Sequence, residues 1–418
     1  MPEPTDQVKT PSKLHKIFLA LITIYSLFVF AYGAYGALAG SGDLKSFYKT
    51  SELLLNKTNP YALTINYIER EGYNLSFAGL EEAGGISMYP PSTHLLFIPF
   101  YTFLLSPDIA CVSWLLWNIV FLGIIYWFIC SRYKGDIRGG YKYLLIFMLI
   151  GAASTKTNLS LGQTTLFSLA AFVLTLSFQD KNKWLSGFAF ALAVSKPSLM
   201  ILFVFYLLFK KEFKILSIAF FIHLTLTVGI SIWIGQSPII LMQSYFKLIG
   251  LLTTQDSAVS FYYQMAGVSF KTIMKIFGCS HFIINLANVG LYVSAIMYMY
   301  KQRSLDEKRA LGLIALLTIL VDYHQHYDFS ILFLMFPVFA GDNHKKKLWL
   351  FAYYGFLQYM PNISRMNFFG FLTASFFKDS MPALLAWQSF YTVLYLLLLV
   401  FYIKKFIPFR HGIIRYTH

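Results

Sequence analysis

Charge is what this chain has least of. Only 13% of its 418 residues are Asp, Glu, Lys or Arg, and 57% are apolar. A globular domain carries roughly a quarter of its residues as charges, so a soluble fold is excluded. Repeated long apolar runs imply a polytopic, all-α membrane protein, because hydrocarbon offers no water to backbone polar groups and each run must bond within itself. Cysteine is nearly missing as well. Cys111, Cys130 and Cys279 lie in or near apolar segments with no metal-ligand spacing, and they read as small buried hydrophobes. Low-complexity tracts, clear internal repeats and a separate soluble domain are also lacking, so residues 1–418 are read as one integral membrane domain.

The apolar runs place about 12 membrane segments, near 16–38, 109–131, 141–157, 164–178, 184–195, 197–210, 213–234, 282–300, 309–321, 328–341, 347–360 and 383–404. Lys9, Lys13 and Lys16 precede a first run too long for a cleaved leader, which reads as a retained anchor starting in the cytoplasm. The pair 184–195 and 197–210 is too short for two spans. It reads as a hairpin of half-helices meeting at Ser195-Lys196-Pro197, with Pro197 starting the second half.

With both termini cytoplasmic, that face collects 23 of the 34 basic residues and 8 of the 19 acids, a net +15, while the outer face balances 11 against 11. The whole basic excess then lies on one side, as the positive-inside rule requires. Attraction to anionic inner-leaflet lipid accounts for it, and no nucleic-acid partner is implied. Two outer loops are long, 39–108 and 235–281, so outer-face chemistry must use them and the outer helix ends.

The first outer loop opens on Asp43. The stretch Leu44–Asn56 that follows puts Leu44, Phe47, Tyr48 and Leu55 on one face. Asp43 therefore reads either as the N-cap of that helix or as a carboxylate presented to substrates at the membrane surface. Asn59-Pro60-Tyr61 is expected to end the helix. Ser92–Leu105 is short, apolar and proline-broken, hence an interfacial helix rather than a span.

Deeper in the chain, Lys196 is either a lysine snorkelling to the interface or a phosphate ligand at an interior site. As a phosphate ligand alone it should tolerate methionine without loss of folded protein. Asp322-Tyr323-His324-Gln325-His326-Tyr327-Asp328 is dense in polar groups for so apolar a chain. His324 and His326 could rim the site, bind a phosphate or sugar hydroxyls, or hold a metal. Arg365, in the outer turn Pro361-Asn362-Ile363-Ser364-Arg365, is a phosphate candidate or a solvated arginine. Gln163 could bond sugar hydroxyls or cap the next helix.

Taken in order, Asp43 with its helix and Asn59-Pro60-Tyr61, Tyr89-Pro90-Pro91, Gly162-Gln163, Ser195-Lys196-Pro197 and His326-Tyr327-Asp328 resemble a known set. They are similar to the GT-C polyprenol-phosphate-dependent glycosyltransferases, in the multispan group of the mycobacterial phosphatidylinositol mannoside mannosyltransferase (glycosyltransferase family 87-like). The resemblance runs over roughly residues 16–340. It implies a GT-C fold, Asp43 as catalytic base, a sugar donor on polyprenyl phosphate and chemistry on the outer face. The residues read as donor phosphate or sugar ligands beside it are Tyr89, Gln163, Lys196, His324, His326 and Arg365.

Chemistry points the same way: an inverting transfer needs one base for the acceptor hydroxyl, while the lipid phosphate leaves without help from an acid. Metal-dependent relatives such as oligosaccharyltransferases carry carboxylates in the outer loop after the third span, whereas here residues 154–163 contain no acid. A divalent ion there would lack anionic oxygen ligands, so neither metal nor cofactor is expected.

The reading is thus a membrane glycosyltransferase of the inner (plasma) membrane, with mannose the first expectation for the sugar and a lipid or glycan as acceptor. A transporter or flippase of lipid-linked sugars would call for symmetric halves and a central polar pathway, which the sequence does not show. An O-antigen ligase or polymerase would carry its large outer loop late, whereas here the longest comes first.

Overall fold

The computed structural model describes residues 13–40, 42–71, 89–101, 106–137, 139–254, 269–321, 324–341, 348–365 and 380–407. Regular elements among them are all helical. Helix α1 (Lys13–Leu38) leads into a first group of short helices, α2 (Gly42–Leu55), α3 (Pro60–Glu71) and α4 (Pro91–Tyr101). Helices α5 (Pro107–Arg132), α6 (Gly140–Gly151), α7 (Ala153–Leu161), α8 (Thr165–Phe178), α9 (Lys183–Ala193), α10 (Pro197–Phe209) and α11 (Phe213–Trp233) follow. Then come α12 (Pro238–Thr254), α13 (Phe270–Ile276), α14 (His281–Lys301) and α15 (Glu307–Val321). A 3-10 segment, His326–Met335, runs into α16 (Phe336–Gly341), followed by α17 (Leu348–Arg365) and α18 (Ser380–Phe406).

By length and composition four helical stretches suffice to cross a membrane: the apolar part of Leu19–Leu55, which lies on α1, and Pro107–Arg132, Phe213–Trp233 and Phe282–Lys301. The pair α6 and α7, bent by 42°, makes a fifth if it counts as one broken span. Shorter apolar helices, including α8 and α10, fill the interior between them. Helix α8 shows this in its burial, with Leu166, Leu169, Phe172, Val173 and Leu176 all closed off from the surface. The long helices instead leave apolar side chains exposed, such as Ile24, Leu116, Phe220 and Leu286. That is the pattern of helices that face lipid on one side and protein on the other.

Helix starts follow local chemistry. Pro91, Pro107 and Pro197 each open a helix, where the missing N–H would have had no partner anyway. Ser106 caps α5 through Ile109 N, and Asn182 caps α9 through Trp184 N and Leu185 N. The Asn59-Pro60-Tyr61 motif corrects its expected role. Helix α2 already ends at Leu55, with Lys57 at φ 60°, and Asn59 Oδ1 accepts from Tyr61 N (3.1 Å) and Ala62 N (3.2 Å) to start α3. Neither α3 nor α12 was expected in the outer loops. They pack on each other through Tyr61, Ile65, Ile68, Leu241 and Tyr245, with Leu54 of α2 in the same cluster.

Two features place the site. Helix α1 approaches α7 closely enough that a Cβ on Gly33 would lie 3.0 Å from the Lys156 carbonyl, and one on Gly36 2.6 Å from Ser160 Cβ. Small residues at such a crossing let the backbones meet, which fixes the end of α1, and Asp43 after it, beside the end of α7. The second feature is the segment expected as a membrane helix near 328–341, which is 3-10 for ten residues before turning α-helical for six. At about 2.0 and 1.5 Å per residue it reaches about 29 Å, against about 24 Å for sixteen α-helical residues.

Candidate active site

The site is built on the turn between α7 and α8. Gly162 takes a left-handed conformation (φ 67°), and Gln163 N donates back to the Asn158 carbonyl at 3.0 Å, closing α7 with a Schellman turn. Trp114 Nε1 donates to the Gln163 carbonyl at 3.3 Å, pinning the turn to α5. Beneath it Phe97, Phe100, Trp114, Phe121 and Phe167 make an edge-to-face aromatic floor, with centroids 4.8 Å apart for Phe97 and Phe167. The turn then presents three consecutive polar side chains, each with its own partner.

Gln163 Nε2 donates to Asp43 Oδ2. Thr164 Oγ1 shares a hydrogen bond of 3.0 Å with the Tyr89 hydroxyl. Thr165 Oγ1 donates to Asp328 Oδ1 at 2.7 Å. Asp328 also receives Lys196 Nζ at 2.5 Å on the same oxygen and faces His324 Nδ1 at 3.2 Å on the other. Lys196 Nζ bonds Thr165 Oγ1 at 2.8 Å and lies 4.3 Å from the centre of the Tyr327 ring. Five groups expected near the donor (Asp43, Tyr89, Gln163, Lys196, His324) are thus brought together by one four-residue turn and its partners.

The polar groups are held by the apolar scaffold around them. Asn158 Nδ2 donates to the Tyr327 carbonyl (2.7 Å) and Ser330 Oγ (3.1 Å), tying α7 to the 3-10 segment that carries Asp328. Thr93 Oγ1 donates to the Ser195 carbonyl at 3.3 Å, so α4 anchors the break between α9 and α10; the two helices do not pack on each other as the expected hairpin would, and α9 lies instead against α8 and α11. Lys196 is only 5% exposed and Asp328 3%. Snorkelling is therefore overturned as the reason for Lys196, whose charge is neutralised inside the protein rather than carried to the interface.

Asp43 departs from the expected cap. It lies inside the first turn of α2, which begins at Gly42, and its carboxylate faces Gln163 across the site. Burial raises its pKa above the ordinary carboxylate value, while the Gln163 hydrogen bond and the charge of Lys196 oppose the rise. Gln163 likewise does not cap α8, where Thr164 holds the N-cap position.

His326 packs its ring edge-on against Phe329 (5.4 Å) and Tyr391 (5.5 Å). Arg365 is the last residue of α17 rather than part of a turn, and its side chain, like Asp322 and Tyr323, lies outside the described residues. Thr165 and Asn158 were not foreseen as site residues, and Asp328 was singled out only within the motif His326-Tyr327-Asp328. The available signal was a run of polar side chains, Ser154–Asn158 and Gln163–Thr165, flanking a helix too apolar to need them.

Besides Asn158 Oδ1, two buried atoms on the side chains that meet the carboxylates, Gln163 Oε1 and His324 Nε2, face no hydrogen-bond partner among the described residues. Buried polar atoms are rarely left unpaired without a use. Both belong to side chains whose other end is already fixed, on Asp43 and on Asp328. Each is positioned to meet a polar ligand without reorganising.

The fold and this cluster define a helical membrane protein whose polar chemistry is concentrated on two carboxylates, one buried cation and one histidine. The model of glycosyltransferase family 87 matches residues 88–322, more than half of the 418. The chain belongs to that family and is a membrane glycosyltransferase. The match spans Tyr89, Gln163, Thr165 and Lys196, but starts after Asp43 and ends before His324 and Asp328. No curated protein and no solved structure matches the chain.

Proposed function

We propose that the protein transfers one sugar, mannose in the first instance, from a polyprenyl-phosphate donor to a lipid or glycan acceptor with inversion, using Asp43 as general base. The observation that carries this reading is the Gln163–Asp43 bond. It fixes one carboxylate oxygen by a neutral donor and leaves the other available to an acceptor hydroxyl. A base must lie within hydrogen-bond reach of the proton it takes, and one oriented by a neighbour is ready to do so. The donor phosphate lies against His324 Nε2 and the remaining proton of Lys196. With Nδ1–H given to Asp328, Nε2 of His324 donates to a phosphate in the imidazolium form. The pair with Asp328 keeps Lys196 in place before the donor arrives.

This reading has a GT-C fold of about 12 membrane segments, both termini in the cytoplasm and the active site on the outer face of the plasma membrane. The deciding experiment incubates the purified protein with polyprenyl-phosphate-linked mannose, arabinose and glucose and scores release of polyprenyl phosphate. Release from none of the three would remove the donor assignment. A transporter would move the lipid-linked sugar without releasing it.

The acid-free sequence of residues 154–163 leads to a metal-independent transfer. Full activity is expected in excess EDTA. Loss of activity restored by manganese or magnesium would show that Asp43, Asp322 or Asp328 helps hold an ion.

Gln163→Met tests how the base is held. The Gln163 hydrogen bond favours the charged carboxylate and so lowers the Asp43 pKa; its removal raises that pKa. The rate depends on the deprotonated form, so the acid limb of the kcat/KM profile should move to higher pH in the variant. A profile that falls in height without moving would mean that Gln163 serves only the substrate.

A further inference from the structure

On the opposite, basic end of the molecule, a groove of about 680 Å³ runs beside α14, lined by Phe209, Ser294, Met297, Tyr298, Tyr300 and Lys301. Its volume lies within the roughly 300–1,000 Å³ of a small-molecule site, and its walls are almost wholly apolar. Phe209 also lines a second, smaller pocket of about 20 Å³ between α10, α14 and α15, with Lys210 and Arg303 in its wall. That is room for a group the size of one water or one phosphate oxygen.

The charges around this mouth are unbalanced in a particular way. Four nearby acids are already paired: Glu307 with Arg132 (2.9 Å), Glu212 with Lys183 (2.5 Å), Asp306 with Arg309 (3.0 Å) and Asp136 with Lys308 (2.7 Å). Lys210, Lys301 and Arg303 have no carboxylate partner among the described residues. Two of them are nevertheless held in place. Arg303 stacks 4.2 Å from the Tyr300 ring and donates to the Tyr300 carbonyl at 3.1 Å, and Lys210 lies 5.8 Å from the Tyr206 ring and donates to the Arg303 carbonyl at 3.4 Å. The C-termini of α10 and α14 meet here, each worth about half a negative charge. Three whole positive charges outweigh them, and the mouth stays cationic.

We infer that this groove is a binding site for one anionic phospholipid of the adjacent leaflet, an acyl chain lying along α14 and the phosphate held by Lys210, Lys301 and Arg303. An apolar channel continuous with ordered, unpaired cations fits a molecule that is apolar along its length and anionic at one end. Basic pockets between membrane helices are a recurring way to hold such headgroups.

The full-length protein, delipidated in detergent, is titrated with dioleoylphosphatidylglycerol and with dioleoylphosphatidylcholine, and adducts are counted by native mass spectrometry. Wild type should retain phosphatidylglycerol in preference. Each cation near a lipid surface is worth roughly a fivefold factor, so Lys210→Gln with Arg303→Gln should weaken phosphatidylglycerol roughly thirtyfold. The pair Lys134→Gln with Lys142→Gln, exposed on the same basic face but outside the groove, should leave it unchanged. Ser294→Trp fills the groove with the cations intact and should also lower retention. Equal binding of the two lipids, equal losses in both double variants, or displacement by polyprenyl phosphate at equal concentration would each overturn the proposal.

Discussion

Asp43→Asn should reduce sugar transfer by about 10²–10⁴, the usual value of a general base, while the protein is made and extracted as well as wild type. The reason for the second half is local. The amide is isosteric with the carboxylate, and its oxygen still accepts the hydrogen bond from Gln163 Nε2. Asparagine is also as acceptable as aspartate near a helix start, so α2 is not weakened. Asp43→Ala behaves differently. It leaves the Gln163 amide buried with neither end paired, since Oε1 already has no partner among the described residues. Such an orphaned group costs about 1–3 kcal/mol, so the alanine variant should lose stability as well as activity. Transfer assays and thermal unfolding in detergent separate the two. An Asp43→Asn enzyme that keeps more than about a tenth of the wild-type rate falls short of the loss expected for a base and would end the assignment.

The second large effect is at Lys196, where the structure reverses the expectation from sequence. Read as a bare phosphate ligand, Lys196 could become methionine with no change in yield. Paired with Asp328 at 2.5 Å and almost fully enclosed, it cannot. Removing one partner of a buried ion pair strands the other charge in a low dielectric and costs about 3–5 kcal/mol. Lys196→Met should therefore lower the folded yield and the melting temperature. Asp328→Asn on the same background removes the stranded charge and should recover most of the loss. Activity of the double variant then decides the role of the lysine. If Lys196 also binds the donor phosphate, KM for the donor stays high in a protein that folds again. A double variant with wild-type kinetics would make the pair purely structural, and failure of Asp328→Asn to restore the fold would show that the two charges are not coupled.

The class of protein was settled by composition alone, since so few charges and so many long apolar runs leave only a helical membrane protein. Most helix positions were also legible, because each apolar run is bounded by a local signal, such as Pro107 at the start of α5 or Pro197 at the start of α10. Asp43 stood out for a similar reason: it is an isolated acid directly after an apolar span. The break at Ser195-Lys196-Pro197 needed only the fixed φ of proline and the shortness of its flanking runs.

Partnership was not legible. Asp43 and Gln163 are 120 positions apart, and Lys196 and Asp328 are 132. Nothing in either local sequence says which distant group neutralises which. Lys196 kept two readings until the fold set the break before α10 beside Asp328 of the 3-10 segment and chose a third, an enclosed ion pair. Pro60 was read as a stop because the chain alone does not show that Asn59 caps a new helix. Local rules follow from backbone sterics and the run of apolar side chains, and these travel with the sequence. Which polar groups face one another depends on how α1, α4, α7 and the 3-10 segment pack together, and only the tertiary structure decided that.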